Sequence, residues 1–275
     1  MAREPQSAFS ESVMNEIRRT YDYRCVTCLT WTETSQCVSL IDDLQLHEAV
    51  RLGVLNEGFE GNSSTNGVVQ CQNCHVLFTE HRIVLSLPIP VLEYLENYIR
   101  SDSEDPLHEV FDLLVDAWNG EPVDLPDPDT IIPYIGLFSL VTLDPTTSAK
   151  FTMITPYLPS LSIIRSNDKR FRKAPANTSA TATNVARILD ALEIKKNTPL
   201  KVGSIPLAPG IAAFEEKRYW RIPIPAGVVF AALMVGLQYD LSECEDIRLA
   251  KSIVQYLCHR EVVMQRAVES RTWHQ

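Results

Sequence analysis

Residues 71–75 read CQNCH, and the same cysteine spacing occurs earlier as CVTC at residues 25–28. In each pair two residues separate the cysteines, which lets both sulfurs reach one ion from a tight turn. Four thiolates in two such turns can complete a tetrahedral zinc site. The sequence therefore predicts one structural zinc ion. Its ligands would be Cys25, Cys28, Cys71 and Cys74, with room for a subdomain in the 42 residues between the pairs.

The cysteines also allow a different interpretation, because disulfides or buried apolar thiols would use them as well. Residues 1–12 are polar and lack the apolar segment of a secretory signal. This indicates an intracellular protein, cytoplasmic or nuclear, with reduced thiols. The remaining cysteines have no partner at ligand spacing and are predicted to be core residues: Cys37, Cys244 and Cys258.

Charge is unevenly distributed along the 275 residues, whose net charge is −10. Residues 1–125 contain 7 Arg, no Lys and 21 Asp or Glu, which gives −14, whereas residues 126–275 carry +4. An acidic first half repels phosphate backbones, which argues against general nucleic-acid binding there. A solvated, solubilising surface accounts equally well for the acidity.

Apolar periodicity and turn residues predict a mixed chain of helices and short strands. Predicted helices lie near residues 10–20, 44–55, 90–100, 106–119 and 247–268, and predicted strands lie at 31–41, 82–87, 131–141 and 151–164. An Asp105-Pro106 pair is expected to cap the fourth helix.

The Pro-rich residues 121–130 are predicted to link a zinc-binding domain, residues 1–120, to a mixed region of unnamed fold, residues 131–275. Residues 224–237 are 14 uncharged residues. A membrane span needs roughly 20. This stretch is therefore predicted to be a buried helix, and no membrane partner is expected.

The run NGVVQCQNCHVLF at residues 66–78 resembles the HNH endonucleases, the ββα-metal nucleases. Their pattern is an Asn, a few apolar residues, Cys-x-x-Cys-His and then a helix. The next residues are similar to a group in which that helix ends in Phe-Asp, with Thr79 where the Asp often stands. The resemblance covers roughly residues 10–90. It implies an α+β fold that opens with a zinc-stapled ββα unit and flanking helices, followed by a mixed half of short strands and helices.

The resemblance also implies a role for each matching residue. In such nucleases the zinc is structural, and a second divalent ion (Mg, Mn or Ni) stabilises charge on the scissile phosphate. His75 matches the helix His that binds this second ion. Asn66 matches the Asn that positions the loop or the base. The general base is a His at the end of the first strand, which takes a proton from the attacking water.

That His is absent here, since Ser39 or Leu40 stands at its position. Neither side chain is an effective base near neutral pH. Asp42 and Asp43 follow closely and can supply a displaced metal ligand. His47 is the nearest histidine that can replace the base, although on a Leu-rich helix it is more typical of a partly buried polar residue.

His81 has two interpretations. It can ligate a metal beside His75 after a bend in the helix. Alternatively it caps the C-terminal end of that helix, where a cation is favoured, and this second interpretation is preferred.

Two functions from different classes follow. The first is an HNH-nuclease-like zinc-binding protein that is catalytically impaired and serves as an interaction module for an unknown protein partner. The alternative is an active metal-dependent HNH endonuclease that cleaves DNA phosphodiester bonds. DNA contacts would then come from a basic cluster that is otherwise typical of a solvated loop. Its residues are Lys169, Arg170, Arg172 and Lys173, which surround the aromatic Phe171.

Overall fold

The computed structural model describes residues 9–21, 23–28, 35–101, 105–143, 152–156, 202–206, 220–221, 224–238 and 244–272. Within them, helices alternate with short antiparallel strands, so the predicted α+β class is confirmed. The helices are α1 (Glu11–Thr20), α2 (Asp43–Arg51), α3 (Gln72–Thr79), α4 (Ile89–Arg100), α5 (Leu107–Asn119), α6 (Ala226–Gly236) and α7 (Glu245–Thr272). The strands are β1 (Gln36–Ser39), β2 (Gly67–Gln70), β3 (Ile83–Ser86), β4 (Leu137–Thr142), β5 (Thr152–Pro156), β6 (Val202–Pro206) and β7 (Trp220–Arg221).

The N-terminal part is built on the antiparallel pair β1 and β2, with Gln36 opposite Gln70 and Ser39 opposite Gly67. Helix α3 begins two residues after β2 and packs against both strands. Helix α1 packs against the same strand pair through the fully buried Ile17. Gly67 permits this approach, because a Cβ there would lie 2.2 Å from Ile17 Cδ1.

Local signals account for most helix ends. Ser10 caps α1, since its side chain accepts a hydrogen bond from the N–H of Val13 at 3.4 Å. The expected Asp105 cap of α5 is wrong. Pro106 itself is the N-cap residue and forms no side-chain cap, and the Asp105 carboxylate instead accepts a hydrogen bond from the Tyr98 hydroxyl at 2.7 Å.

A second sheet joins the two halves of the chain. β3, which precedes α4, pairs antiparallel with β4, so that Ile83 lies opposite Thr142 and Ser86 opposite Ser139. β7 extends this sheet on the other edge of β4. β5 and β6 form a separate antiparallel pair. The hydrophobic core continues across the predicted linker, residues 121–130, where Leu125 is itself buried in it.

Helix α6 supplies the centre of this core. It begins after Pro225, contains no charged residue and buries apolar side chains all round. It packs against β3, α2 and α5. The prediction of a buried helix in residues 224–237 is therefore confirmed. In the described residues we find no helix with both the length and the apolar character needed to cross a membrane.

The C-terminal helix α7 packs along α4. Two polar contacts connect α7 to the N-terminal elements, one to α2 and one to α4. Arg51 at the end of α2 forms an ion pair with Glu261, and Arg100 of α4 donates a hydrogen bond to Ser252 at 3.0 Å. Exposed ion pairs contribute little, about 0–1 kcal/mol each, so the apolar core supplies most of the stability. Elements from beyond residue 130 thus cover elements from before residue 120.

Gly227 provides a test of this shared core. A Cβ at Gly227 would lie 2.8 Å from the carbonyl oxygen of Val54 and 3.0 Å from Leu55 Cδ2. We expect Gly227→Ala to lower the free energy of unfolding by about 1–3 kcal/mol, because overpacking exceeds the gain in helix propensity. Urea unfolding followed by circular dichroism measures this, and both halves should unfold in one transition.

Gly58→Ala is the matched control, since its Cβ would meet nothing closer than 3.6 Å. Its stability should equal that of the wild type. Unchanged stability of Gly227→Ala, or two separate transitions, would contradict a core shared between the halves.

Candidate metal centre

The two cysteine pairs come together through the backbone. The first pair lies in the turn region after α1, and the second opens α3. The N–H of Val26, between the first two cysteines, donates a hydrogen bond to the carbonyl oxygen of Val69 in β2 at 2.7 Å. Because β2 leads directly into Cys71, this bond holds the first pair beside the second.

The four sulfur atoms of Cys25, Cys28, Cys71 and Cys74 all lie within 4.8 Å of one another. The sulfurs of Cys28 and Cys71 are 3.8 Å apart. A tetrahedral site with zinc–sulfur bonds of about 2.3 Å separates its sulfurs by about 3.8 Å. Three of these cysteines are buried and Cys71 is half-buried. The group therefore has the donor set, spacing and enclosure of a structural metal site, for which zinc is the fitting ion.

All seven cysteines are free thiols, so the disulfide alternative finds no support. Cys244 is buried, and Cys37 and Cys258 are half-buried and pack against the core. The Cys37 thiol contacts the Met14 carbonyl oxygen at 3.5 Å. These three cysteines therefore serve in packing, as predicted.

The protonation of the cluster is set by its own sulfurs. Hydrogen bonds from Cys25, Cys28 and Cys74 hold the pKa of Cys71 far below that of an ordinary thiol. The hydrogen bonds to Cys28 and Cys71, and then burial, raise the pKa of Cys25. Cys71 is also the N-cap residue of α3, where the helix dipole favours a thiolate. A metal ion must displace the remaining thiol protons when it binds.

Asn66 ties the strand pair together from its buried position, where it is 1% exposed. Its Nδ2 donates hydrogen bonds to the carbonyl oxygens of Ile41 and Gly61, both at 2.9 Å. Its Oδ1 accepts one from the N–H of Ile41 at 3.1 Å. Its carbonyl oxygen accepts one from the N–H of Leu40 at 2.9 Å. Asn66 thus fixes the loop that follows β1.

The two carboxylates after β1 lie at the start of α2, with Asp42 as its N-cap residue and Asp43 as its first residue. One Asp42 oxygen accepts the N–H of Gln45, and the Gln45 side chain accepts the N–H of Asp42, both at 2.9 Å. This capping box accounts for the start of the helix. Asp43 and His47 are exposed on α2.

His75 lies half-buried in the first turn of α3. Among the described residues, the four cysteines form the group of three or more ligand side chains close enough to share an ion. His75, Asp42, Asp43 and His47 are not gathered into such a group there. The structure therefore gives no support to a second ion at His75.

His81 ends α3 through its backbone. Its φ of 52° is left-handed, and its N–H donates to Phe78 while the N–H of Arg82 donates to Leu77. This is the Schellman arrangement, in which Gly or Asn is the usual residue. The structure thus places His81 at the helix end, as the preferred interpretation states, with the backbone rather than the imidazole providing these bonds.

The basic cluster at residues 165–173, which includes Lys169, Arg170, Arg172 and Lys173, lies outside the described residues. No protein-family model matches the chain, and no curated protein or solved structure does so either. Function must therefore be inferred from the residues of the site.

Gln70 is the residue that sequence analysis missed. It ends the run GVVQ, whose four residues are all buried, and it is 0% exposed although polar. A polar residue between an apolar strand and a metal-binding turn was the available signal. Its burial could not be predicted, because strand alternation assigns half of such residues to solvent.

We expect about one tightly bound zinc per chain, because four thiolates at this spacing form a closed tetrahedral site. Chelation should partly unfold the protein, since structural zinc contributes directly to folding. Elemental analysis and circular dichroism measure the two effects. Cys28→Ala should lose the metal, and Cys37→Ala should retain it. A wild-type chain without bound metal would contradict the site.

Asn66→Ala should lower the free energy of unfolding by roughly 2–3 kcal/mol, because it leaves buried backbone groups of Ile41 and Gly61 without partners. Urea denaturation measures the change. Asn62→Ala, at an exposed position of the same loop, should change stability by less than about 0.5 kcal/mol. Equal stabilities for the two variants would show that Asn66 has no such role.

Proposed function

We propose that this chain is a zinc-stapled module of the HNH nuclease type that has lost efficient phosphodiester cleavage and serves in protein interaction. The order of elements supports the relation to HNH nucleases, because two antiparallel strands lead into a helix that begins at the second cysteine pair. The cysteine cluster, whose sulfurs lie within 4.8 Å of one another, supplies the structural metal site that the resemblance implies.

One observation supports the loss of catalysis most strongly. Ser39 is the last residue of β1 and Leu40 follows it; the resemblance implies the general base at one of these two positions. The nearby Asp42 already serves as a helix cap, and His47 is exposed on α2. Loss of a general base reduces the rate by roughly 10²–10⁴. The net charge of −14 over residues 1–125 further opposes an approaching phosphate backbone.

The alternative function, an active HNH endonuclease acting on DNA, draws support from Asn66. Its hydrogen bonds to Ile41 fix the loop beside the position of the base, which is the role that the resemblance implies. In that case His75 would hold a divalent ion that supplies charge stabilisation at the phosphate. Water activation would have to come from a group other than Ser39 or Leu40.

A plasmid-nicking assay with magnesium, manganese or nickel separates the two functions. We expect the zinc-loaded wild type and His75→Ala to give the same background, because neither Ser39 nor Leu40 is an effective general base. Nicking by the wild type that His75→Ala lacks would establish the nuclease instead.

Affinity capture from a lysate tests the interaction function directly. Cys28→Ala is the control, because it should lack the metal. The interaction module should retain a protein partner that survives nuclease treatment and is lost with Cys28→Ala. Recovery of nuclease-sensitive material alone would contradict the proposal.

A further inference from the structure

A cleft of about 320 Å³ lies beside the strand pair β1–β2 and helix α3. Its walls come from β1 and β2, the C-terminal end of α3, β3 and α6. Small-molecule sites in proteins have volumes of about 300–1,000 Å³ and occur where structural units meet. This cleft has that size. It lies between the elements around the cysteine cluster (β1, β2 and α3) and the apolar helix α6.

Gln70 is one of the residues that line this cleft, and its side-chain amide lies buried behind the cleft wall. It is completely buried, and neither its nitrogen nor its oxygen has a hydrogen-bond partner in the structure. A buried amide without partners costs about 1–3 kcal/mol for each unsatisfied group. Such groups are rare in folded proteins and call for a physical explanation. A bound molecule that pairs with both amide atoms would provide one.

The other described residues of the cleft restrict the charge of that molecule. None of them is Lys or Arg, so an anionic or phosphorylated ligand finds no permanently charged cation there and His81 is the one basic side chain among them. The one carboxylate among them, Asp42, already caps α2. Much of the remaining wall is apolar, with Phe78, Leu143 and Val229 from three separate segments. The site therefore suits a neutral molecule with a mostly apolar body.

We propose that this cleft binds a small neutral heterocycle with a lactam edge. A lactam presents an N–H and a carbonyl oxygen side by side, and a primary amide offers the complementary acceptor and donor. Two parallel hydrogen bonds would satisfy both atoms of Gln70, while the ring packs against the apolar wall. Since the amide is closed to water in the unliganded protein, entry requires a bordering side chain to shift. Half-buried His81 borders the same cleft.

The probe for this site is 2-quinolone, and N-methyl-2-quinolone is its matched control because it lacks the N–H. Both are titrated against the zinc-loaded full chain by saturation-transfer NMR. We expect 2-quinolone to bind, and the N-methyl compound to bind at least tenfold more weakly, since it loses one of the two hydrogen bonds. Equal binding of the two, or no binding up to the solubility limit, would overturn the proposal.

Two variants locate the binding. Gln70→Met keeps the side-chain length, removes the unpaired amide and should retain zinc, while 2-quinolone binding falls at least tenfold. Ala232 is half-buried on α6 and remote in sequence from the four clustered cysteines, and Ala232→Leu should narrow the cleft and weaken binding to the same extent. Wild-type affinity in both variants would remove the cleft as the site.

A nucleobase on a polyanion carries the same lactam edge. A single-stranded oligothymidylate should fail to displace 2-quinolone, because the described cleft residues include no Lys or Arg to pair with its phosphates. Displacement would contradict a free heterocycle as the ligand. The outcome is independent of the plasmid-nicking assay, since no step of cleavage enters it.

Discussion

The structure depends on the convergence of four sulfur atoms from two segments far apart in the chain. Such a cluster is costly unless an ion neutralises it, because buried thiolates repel one another and thiols pair weakly. The backbone hydrogen bond from the N–H of Val26 to the carbonyl oxygen of Val69 holds the two cysteine pairs close enough for one ion to bind all four sulfurs. Once joined, α1, the strand pair and α3 have fixed positions, and a short helix of 8 residues becomes a stable part of the fold.

The elements around the cysteine cluster, which are α1, β1, β2 and α3, do not form a separate body in this protein. β3 pairs with β4 from beyond residue 130, and the core continues from the N-terminal elements into α6. Gly227 brings α6 into direct contact with the backbone at Val54. An apolar helix of this kind needs cover on all sides. The N-terminal elements provide part of that cover, and α7 closes the other side against α4.

This integration bears on function. In a nuclease of the HNH type, the surface beside the strand pair must admit a nucleic-acid backbone. In this chain a cleft lies beside the strand pair, and Val229 and Ala232 of α6 border it on one side. The acidic N-terminal half adds repulsion. These features are the basis of the proposal that this chain serves in recognition rather than in cleavage of phosphodiesters.

The sequence by itself determined the cysteine quartet, because the spacing within each pair is a local property of the turn. It also determined most helices, whose apolar spacing and caps act over a few residues, as at Ser10. It could not determine the burial of Gln70 or the cleft beside it. These depend on which segments pack together, and β4 and α6 arrive from more than 50 residues away. Tertiary packing alone decided them, since long-range contacts leave no local pattern in the chain.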